Sequence, residues 1–297
     1  MAITVAVTKK CELGEGPWWD EDQKRLYWFD GFGNELYLFD PASEKNEVFP
    51  INSKIGCVIP AITKNKLVLC LQDGVYLYDK NEKILECISD VENEIENNRL
   101  NDGACDSRGT LWFGSMSMTA NQEDREFEIT GSFYSLTPNG ELKKHFDNVG
   151  ISNGIAWNKN ETVMYYIDST TQCVFSFRFD LEKRELSEKK VVVEIPTNEG
   201  IPDGMTIDTE GMLWIAHFGG GIVSRWDPNS KKRLSEIKIP ASNVTCCCFG
   251  GPDYKDLYIT TARTGLAKTQ LEKEPLAGSL FLDRPGPQGI RQHRFGI

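Results

Sequence analysis

An all-β chain, folded as a six-bladed β-propeller with four antiparallel strands per blade, is the fold the sequence predicts. Three observations predict it. Helical periodicity is scarce, and short β-rich runs alternate with Gly, Pro, Asn and Asp. A paired-strand element recurs six times at spacings of about 40 to 53 residues, the length of a propeller blade. No copy carries the polar end cap that a linear solenoid needs.

The six copies follow in order. They are Leu26–Asp30 with Glu35–Pro41, Leu67–Leu71 with Gly74–Asp79, and Leu111–Ser115 with Gly131–Leu136. Met164–Asp168 with Val174–Asp180, Leu213–His217 with Gly221–Pro228, and Leu257–Thr261 with Gly278–Leu282 complete the set. Each has room for two further strands, one before and one after. The chain of 297 residues, 40% hydrophobic and 10% aromatic, can bury one large core, so residues 1–297 are expected to form a single propeller domain. The N-terminal strand (about Ile3 to Val7) and a C-terminal strand (about Arg291 to Phe295) are expected to share the last blade and close the ring.

A second template precedes four of these strand pairs. Glu15-Gly16, Asn101-Asp102-Gly103, Asn153-Gly154 and Asp203-Gly204 each place an acid or amide next to glycine or Asp-Gly. Asp20, Asp106, Asn158 and Asp208 follow five residues on, and a plainer copy surrounds Cys57. One such pair would simply open a turn. Four in register return an oxygen-bearing side chain to one position of successive blades, which can gather them near the propeller axis.

Loop lengths point to the same end. Connections after the first and third strands are short turns such as Asp106–Gly109 and Asp227–Ser230. Long segments fall between strands two and three (Ser115 to Thr130, Thr264 to Ala277) and between blades (Asp90 to Leu100, Pro196 to Pro202). In an up-down blade both classes lie on the face where the template residues begin. Irregular loops over a rigid scaffold are where sites are built.

Two carboxylates (Glu15, Asp203) and two amides (Asn101, Asn153) brought together are costly without a cation, since like charges raise each other's pKa. An all-oxygen set suits Ca²⁺, Mg²⁺ or Mn²⁺ before thiolate-preferring metals. Ca²⁺ is the leading expectation for one divalent ion, with Mg²⁺, Mn²⁺, Zn²⁺ and Fe²⁺ as alternatives. The nine cysteines include no CxxC pair, and most sit in apolar strand-like runs. They read as reduced, buried thiols. A net charge of −11 argues against a nucleic-acid partner. No run approaches eighteen apolar residues and no signal peptide is legible, so a cytoplasmic protein without a membrane span is expected. The three histidines are scattered, His217 being expected in a structural or rim role, and no HExxH, GxSxG or phosphate loop is present.

Five motifs in order carry a family resemblance. They are Gly14-Glu15-Gly16-Pro17, Asn98-Arg99-Leu100-Asn101-Asp102-Gly103, Ser152–Trp157, Pro202-Asp203-Gly204-Met205 and Phe249-Gly250-Gly251-Pro252-Asp253. On these residues the chain resembles the regucalcin/gluconolactonase family of sugar-lactone hydrolases, also called senescence marker proteins. The resemblance implies a six-bladed propeller. It implies that Glu15, Asn153 and Asp203 bind the metal, with Arg99 and Asn101 contacting a small-molecule sugar lactone. Ester chemistry makes Asp203 the candidate catalytic base, with metal-bound hydroxide as the alternative. Animal members carry an acid just after the strand that here ends Ser115–Met118, whereas this chain has none before Glu123. The Thr260–Leu266 segment is more similar to bacterial members. Two other readings stay open: a calcium-dependent phosphotriester or other ester hydrolase, and a calcium-binding propeller without catalysis.

Overall fold

The computed structural model describes residues 3–121 and 126–297; Glu123 lies outside them. Six four-stranded antiparallel sheets surround a central channel. Their innermost strands are Gly14–Asp20, Ile55–Pro60, Asn98–Cys105, Ser152–Trp157, Ile201–Ile207 and Asn243–Gly250. Each inner strand packs on the next, and the sixth packs on the first, so the ring is closed. Second strands are mostly apolar and almost wholly buried, as at Lys66–Leu71 and Leu213–Phe218, because both faces meet neighbouring sheets. Outer strands such as Ile84–Asp90 and Lys232–Lys238 face solvent and are mostly exposed.

The template residues have two different jobs. The Asp five positions on is structural. Asp106 Oδ1 accepts the Arg108 and Thr110 amides (both 3.0 Å), and its Oδ2 accepts Trp112 Nε1 at 2.8 Å. Asp208 repeats this on Glu210, Met212 and Trp214. Each pins the turn between strands one and two to the tryptophan of strand two. The first template residue instead sits at a register shift. All six inner strands carry one at the same level: Glu15/Trp18, Ile55/Cys57, Leu100/Gly103, Asn153/Ile155, Pro202/Met205 and Val244/Cys246. A β-bulge re-aims the side chains beside it. The template glycines let the inner strands close around the axis. A Cβ on Gly204 would lie 2.3 Å from Cys246 Sγ, and one on Gly154 would lie 2.7 Å from Met205 Cβ.

The last blade closes as expected from the N-terminal side. Thr4–Val7 pairs antiparallel with Leu280–Asp283, which pairs with Asp256–Ala262. The expected C-terminal strand at Arg291–Phe295 does not join this blade. That segment crosses the end of the channel opposite the template residues. Ile290 N donates to Ile207 O (3.3 Å), Phe295 N to Pro60 O (3.1 Å) and Gly296 N to Gly109 O (3.0 Å). It thus ties blades five, two and three. The physical reason is double. Thr4–Val7 already occupies the outer edge, and Pro285 and Pro287 supply no amide to a ladder. Phe295 finds burial instead, at 1% exposure, in the core cluster shared by blades one to three. All nine cysteines are free thiols, eight of them buried or half-buried.

Truncating Phe295 to alanine removes an aromatic anchor from that core, a class of change that costs about 3–5 kcal/mol. The Phe295→Ala protein should melt roughly 10 °C below the wild type by calorimetry. Leu142→Ala, at an exposed outer-strand position, should shift the midpoint by about 1 °C at most. Equal shifts for the two would deny the C-terminal segment a stapling role.

Candidate active site

At the channel end where the inner strands begin, a cavity of about 160 Å³ is lined by Glu15, Arg99, Asn101, Asn153 and Asp203 together. The strand starts that present them are held by aspartates at the ends of second strands. Asp30 accepts the amides of Glu12 and Leu13 (both 2.9 Å). Asp168 does the same for Gly150 and Ile151 (both 3.1 Å). Each carboxylate sets the entry of an inner strand just before a template residue.

A chain of hydrogen bonds fixes the amides. The Ser152 carbonyl can only accept, so Asn101 must present Nδ2 to it (2.7 Å). The same Nδ2 donates to Asn153 Oδ1 at 3.2 Å. At the other end the Pro202 carbonyl also only accepts, so Ser169 Oγ donates there (2.6 Å) and accepts from Asn153 Nδ2 (2.8 Å). Both amides are thereby locked without ambiguity. Asn153 Oδ1 keeps a free lone pair, and Asn101 is left with only Oδ1 for a ligand.

The electrostatics are strained. Burial pushes the Glu15 carboxyl up to about 8, Asp102 adds to the rise, and the Gly16 amide and Arg99 oppose it. Asp203 is driven well above the carboxylate range by burial first, then by Glu15 and Asp102. Arg99 is buried, and loss of water lowers it to about 10 against the pull of both acids. Among the described residues its one hydrogen bond runs from Nη1 to Leu100 O (3.1 Å), its Nε has no partner, and its guanidinium lies 5.6 Å from the Phe32 ring. Among those residues, no three His, Cys, Asp or Glu side chains gather as a metal cage. The donors here are two acids and an oriented amide oxygen, all hard oxygen ligands.

A model of the SMP-30/gluconolactonase/LRE-like region matches residues 13–263. The chain belongs to this family. Among family relatives, YvrE of Bacillus subtilis, provisionally named a sugar lactone lactonase, is 40% identical over 95% of this chain and 94% of its own. Regucalcin of Danio rerio is 37% identical over 94% of this chain and 92% of its own. The solved structure of a calcium-binding protein, regucalcin, from Agrobacterium tumefaciens superposes with a TM-score of 0.91 at 26% identity, covering 99% and 97% of the two chains.

Within this family chain, the structure adds what motif reading missed. Asp102 is a third carboxylate facing the channel, beside Cys57 and Cys246, with its Oδ1 held by the Gly103 amide (2.7 Å). Burial raises its carboxyl to about 6. Its signal was present in the Asn-Asp-Gly copy of the template, where two oxygen-bearing residues fall inside one bulge. Ser169 and the pinning residues Asp30 and Asp168 were also missed. The last two end the recurrent second strands Leu26–Asp30 and Met164–Asp168. His217 is structural, buried with Nδ1 donating to Glu199 O (2.9 Å) and Nε2 accepting from Ser224 Oγ (2.6 Å). No helix is long and apolar enough to cross a membrane among the described residues.

A pH test follows from these shifts. Glu15 has a folded value near 8 against an ordinary 4.5, so between these the folded chain holds a proton that the unfolded chain has released. Its contribution to stability is therefore present below about pH 4.5 and is lost as pH rises through about 8. In EDTA, the melting midpoint of the wild type should fall between pH 5.5 and 8.5 by about 5 °C more than that of Glu15→Gln. Parallel profiles would contradict the burial of a strained acid at this position.

Proposed function

We propose that this protein opens a lactone ring of the sugar-lactone type with water, using a divalent cation held by Glu15, Asn153 and Asp203. The observation that carries the reading is the convergence of two mutually repelling carboxylates, Asp203 buried and Glu15 half-buried, and an oriented amide oxygen in one cavity with Arg99. The names of the relatives agree with it, one a lactonase and one a calcium-binding protein. A bound divalent cation offsets the like charges, polarises a carbonyl oxygen and makes water more acidic.

The protein's own groups supply the rest. Asp203 accepts the proton of the attacking water on a carboxylate oxygen. It returns that proton to the ring oxygen when the carbon–oxygen bond breaks, so one water is consumed and a hydroxy acid is formed. Arg99 places a buried positive charge beside the oxygen that gains negative charge. Asn101 holds Asn153 in its oriented form and offers Oδ1 to a substrate hydroxyl. The Asp30 and Asp168 carboxylates keep the inner strands in register beneath them. Cytoplasmic location remains part of the proposal.

A calcium-binding propeller without catalysis is the competing reading, favoured by the name of the Agrobacterium relative, a calcium-binding protein. It gives no role to Arg99, a cation buried at 4% exposure next to a cation site, which a binding-only protein would do better without.

Asp203→Ala and Glu15→Gln should each lower kcat/KM for aldonolactone opening by about a thousandfold, in the range of a lost general base. Circular dichroism should stay that of the wild type, and EDTA should produce the same loss. Turnover above the spontaneous rate that neither substitution changes would sink the reading.

A further inference from the structure

The wall of the cavity above the oxygen donors is apolar on nearly every side. Leu13 and Phe32 come from blade one, Met116 from blade three, Ile151 from blade four, and Ile201 and Phe218 from blade five. These positions are the starts of inner strands and the ends of second strands, or the loops beside them. The polar complement of the same wall is small. Beyond the three proposed cation donors, the polar residues lining the cavity among the described residues are Arg99, Asn101, Ser169 and Thr264. Ser169 Oγ is already spent between Pro202 O and Asn153 Nδ2. Asn101 Nδ2 is spent on Ser152 O and Asn153 Oδ1, leaving one acceptor atom. Arg99, that atom and the Thr264 hydroxyl remain.

Any hydroxyl of a fully hydroxylated lactone that lies against the Met116, Ile151, Ile201 and Phe218 side of the cavity meets no oxygen or nitrogen side-chain partner from those residues. A hydroxyl buried without a partner loses its hydrogen bonds to water and gains nothing. Phe32 and Phe218 could each lie against the C–H face of a sugar ring, though Phe32 already packs on the Arg99 guanidinium. Met116, Ile151 and Ile201 have neither a flat face nor a polar atom suited to a hydroxyl. What they complement is hydrocarbon.

Resting on the lactonase reading, we propose that the preferred substrate is a partly deoxygenated or alkyl-bearing lactone, its carbonyl at the oxygen donors and its apolar edge against Ile201 and Phe218. A methyl in place of a hydroxymethyl removes one hydroxyl and places carbon against the wall. Ile201 and Phe218 are then specificity-determining residues for the reaction.

The test compares L-fuconolactone with L-galactonolactone, which share ring stereochemistry and differ in carrying CH₃ or CH₂OH. For the cation-loaded full chain, kcat/KM should favour the deoxy lactone by about tenfold or more. Calorimetric binding of the matching lactams, which do not open, should follow the same order and reads affinity apart from turnover. Ile201→Thr keeps the branched shape but adds a hydroxyl, and should narrow the ratio; Phe218→Tyr should do the same if the first variant folds poorly. Equal rates, a preference for the hydroxylated partner, or a ratio untouched by both variants overturns this inference while the lactonase reading stands. Failure to open either lactone, or gluconolactone and δ-valerolactone beside them, above the spontaneous rate removes the lactonase reading itself.

Discussion

Glu15 and Asp203 repel each other, and the fold holds them together anyway. One begins the inner strand of blade one and the other that of blade five, so their approach depends on the ring being closed. The strain is visible in the protonation of both, which burial and like charge push upward. A surface would let such groups drift apart. Here the strand pairing of Thr4–Val7 with Leu280–Asp283 closes the blade between them, and the C-terminal crossing staples the far end. Stability contributed by closure and core packing is thus stored as electrostatic tension at one end of the channel, where a cation or a substrate can release it.

The inner strands turn this closure into geometry. A flat strand would alternate its side chains between the two faces and aim few of them along the axis. The register shift repeated in all six blades turns the residue beside it toward the channel, and glycine next to it lets neighbouring blades come into contact. The same six-fold device yields different chemistry in each blade. Blades one and five present carboxylates, blade four an oriented amide, blade three an amide and Asp102 together, and blades two and six present Gly56 and Thr245 at the corresponding bulge. Function is thus a matter of which side chain occupies one repeated slot.

Much of this was legible in the sequence. The strand pairs were plain because their second strands are apolar and aromatic with a fixed Asp or Gly at their borders. Glu15, Asn101, Asn153 and Asp203 stood out because they recur at one offset from those strands, and all four line the cavity with Arg99. What stayed hidden depends on contacts between distant segments. Arg291–Phe295 has the composition of an edge strand, and only the prior claim of Thr4–Val7 on that edge sends it across the channel. Ser169 looks like any loop serine until Pro202 O and Asn153 Nδ2 are seen on either side of it. Asp102 stands next to Asn101 in the same template copy, and only the bulge between Leu100 and Gly103 shows that both side chains reach the channel.

The central claim is that side chains of three blades share one cation. Crystals soaked in Mn²⁺ and measured near the manganese absorption edge test it directly. The account predicts one strong anomalous peak per chain, bounded by oxygens of Glu15, Asn153 and Asp203. A peak elsewhere in the molecule, or none at saturating Mn²⁺ with the three side chains unmoved, would contradict it.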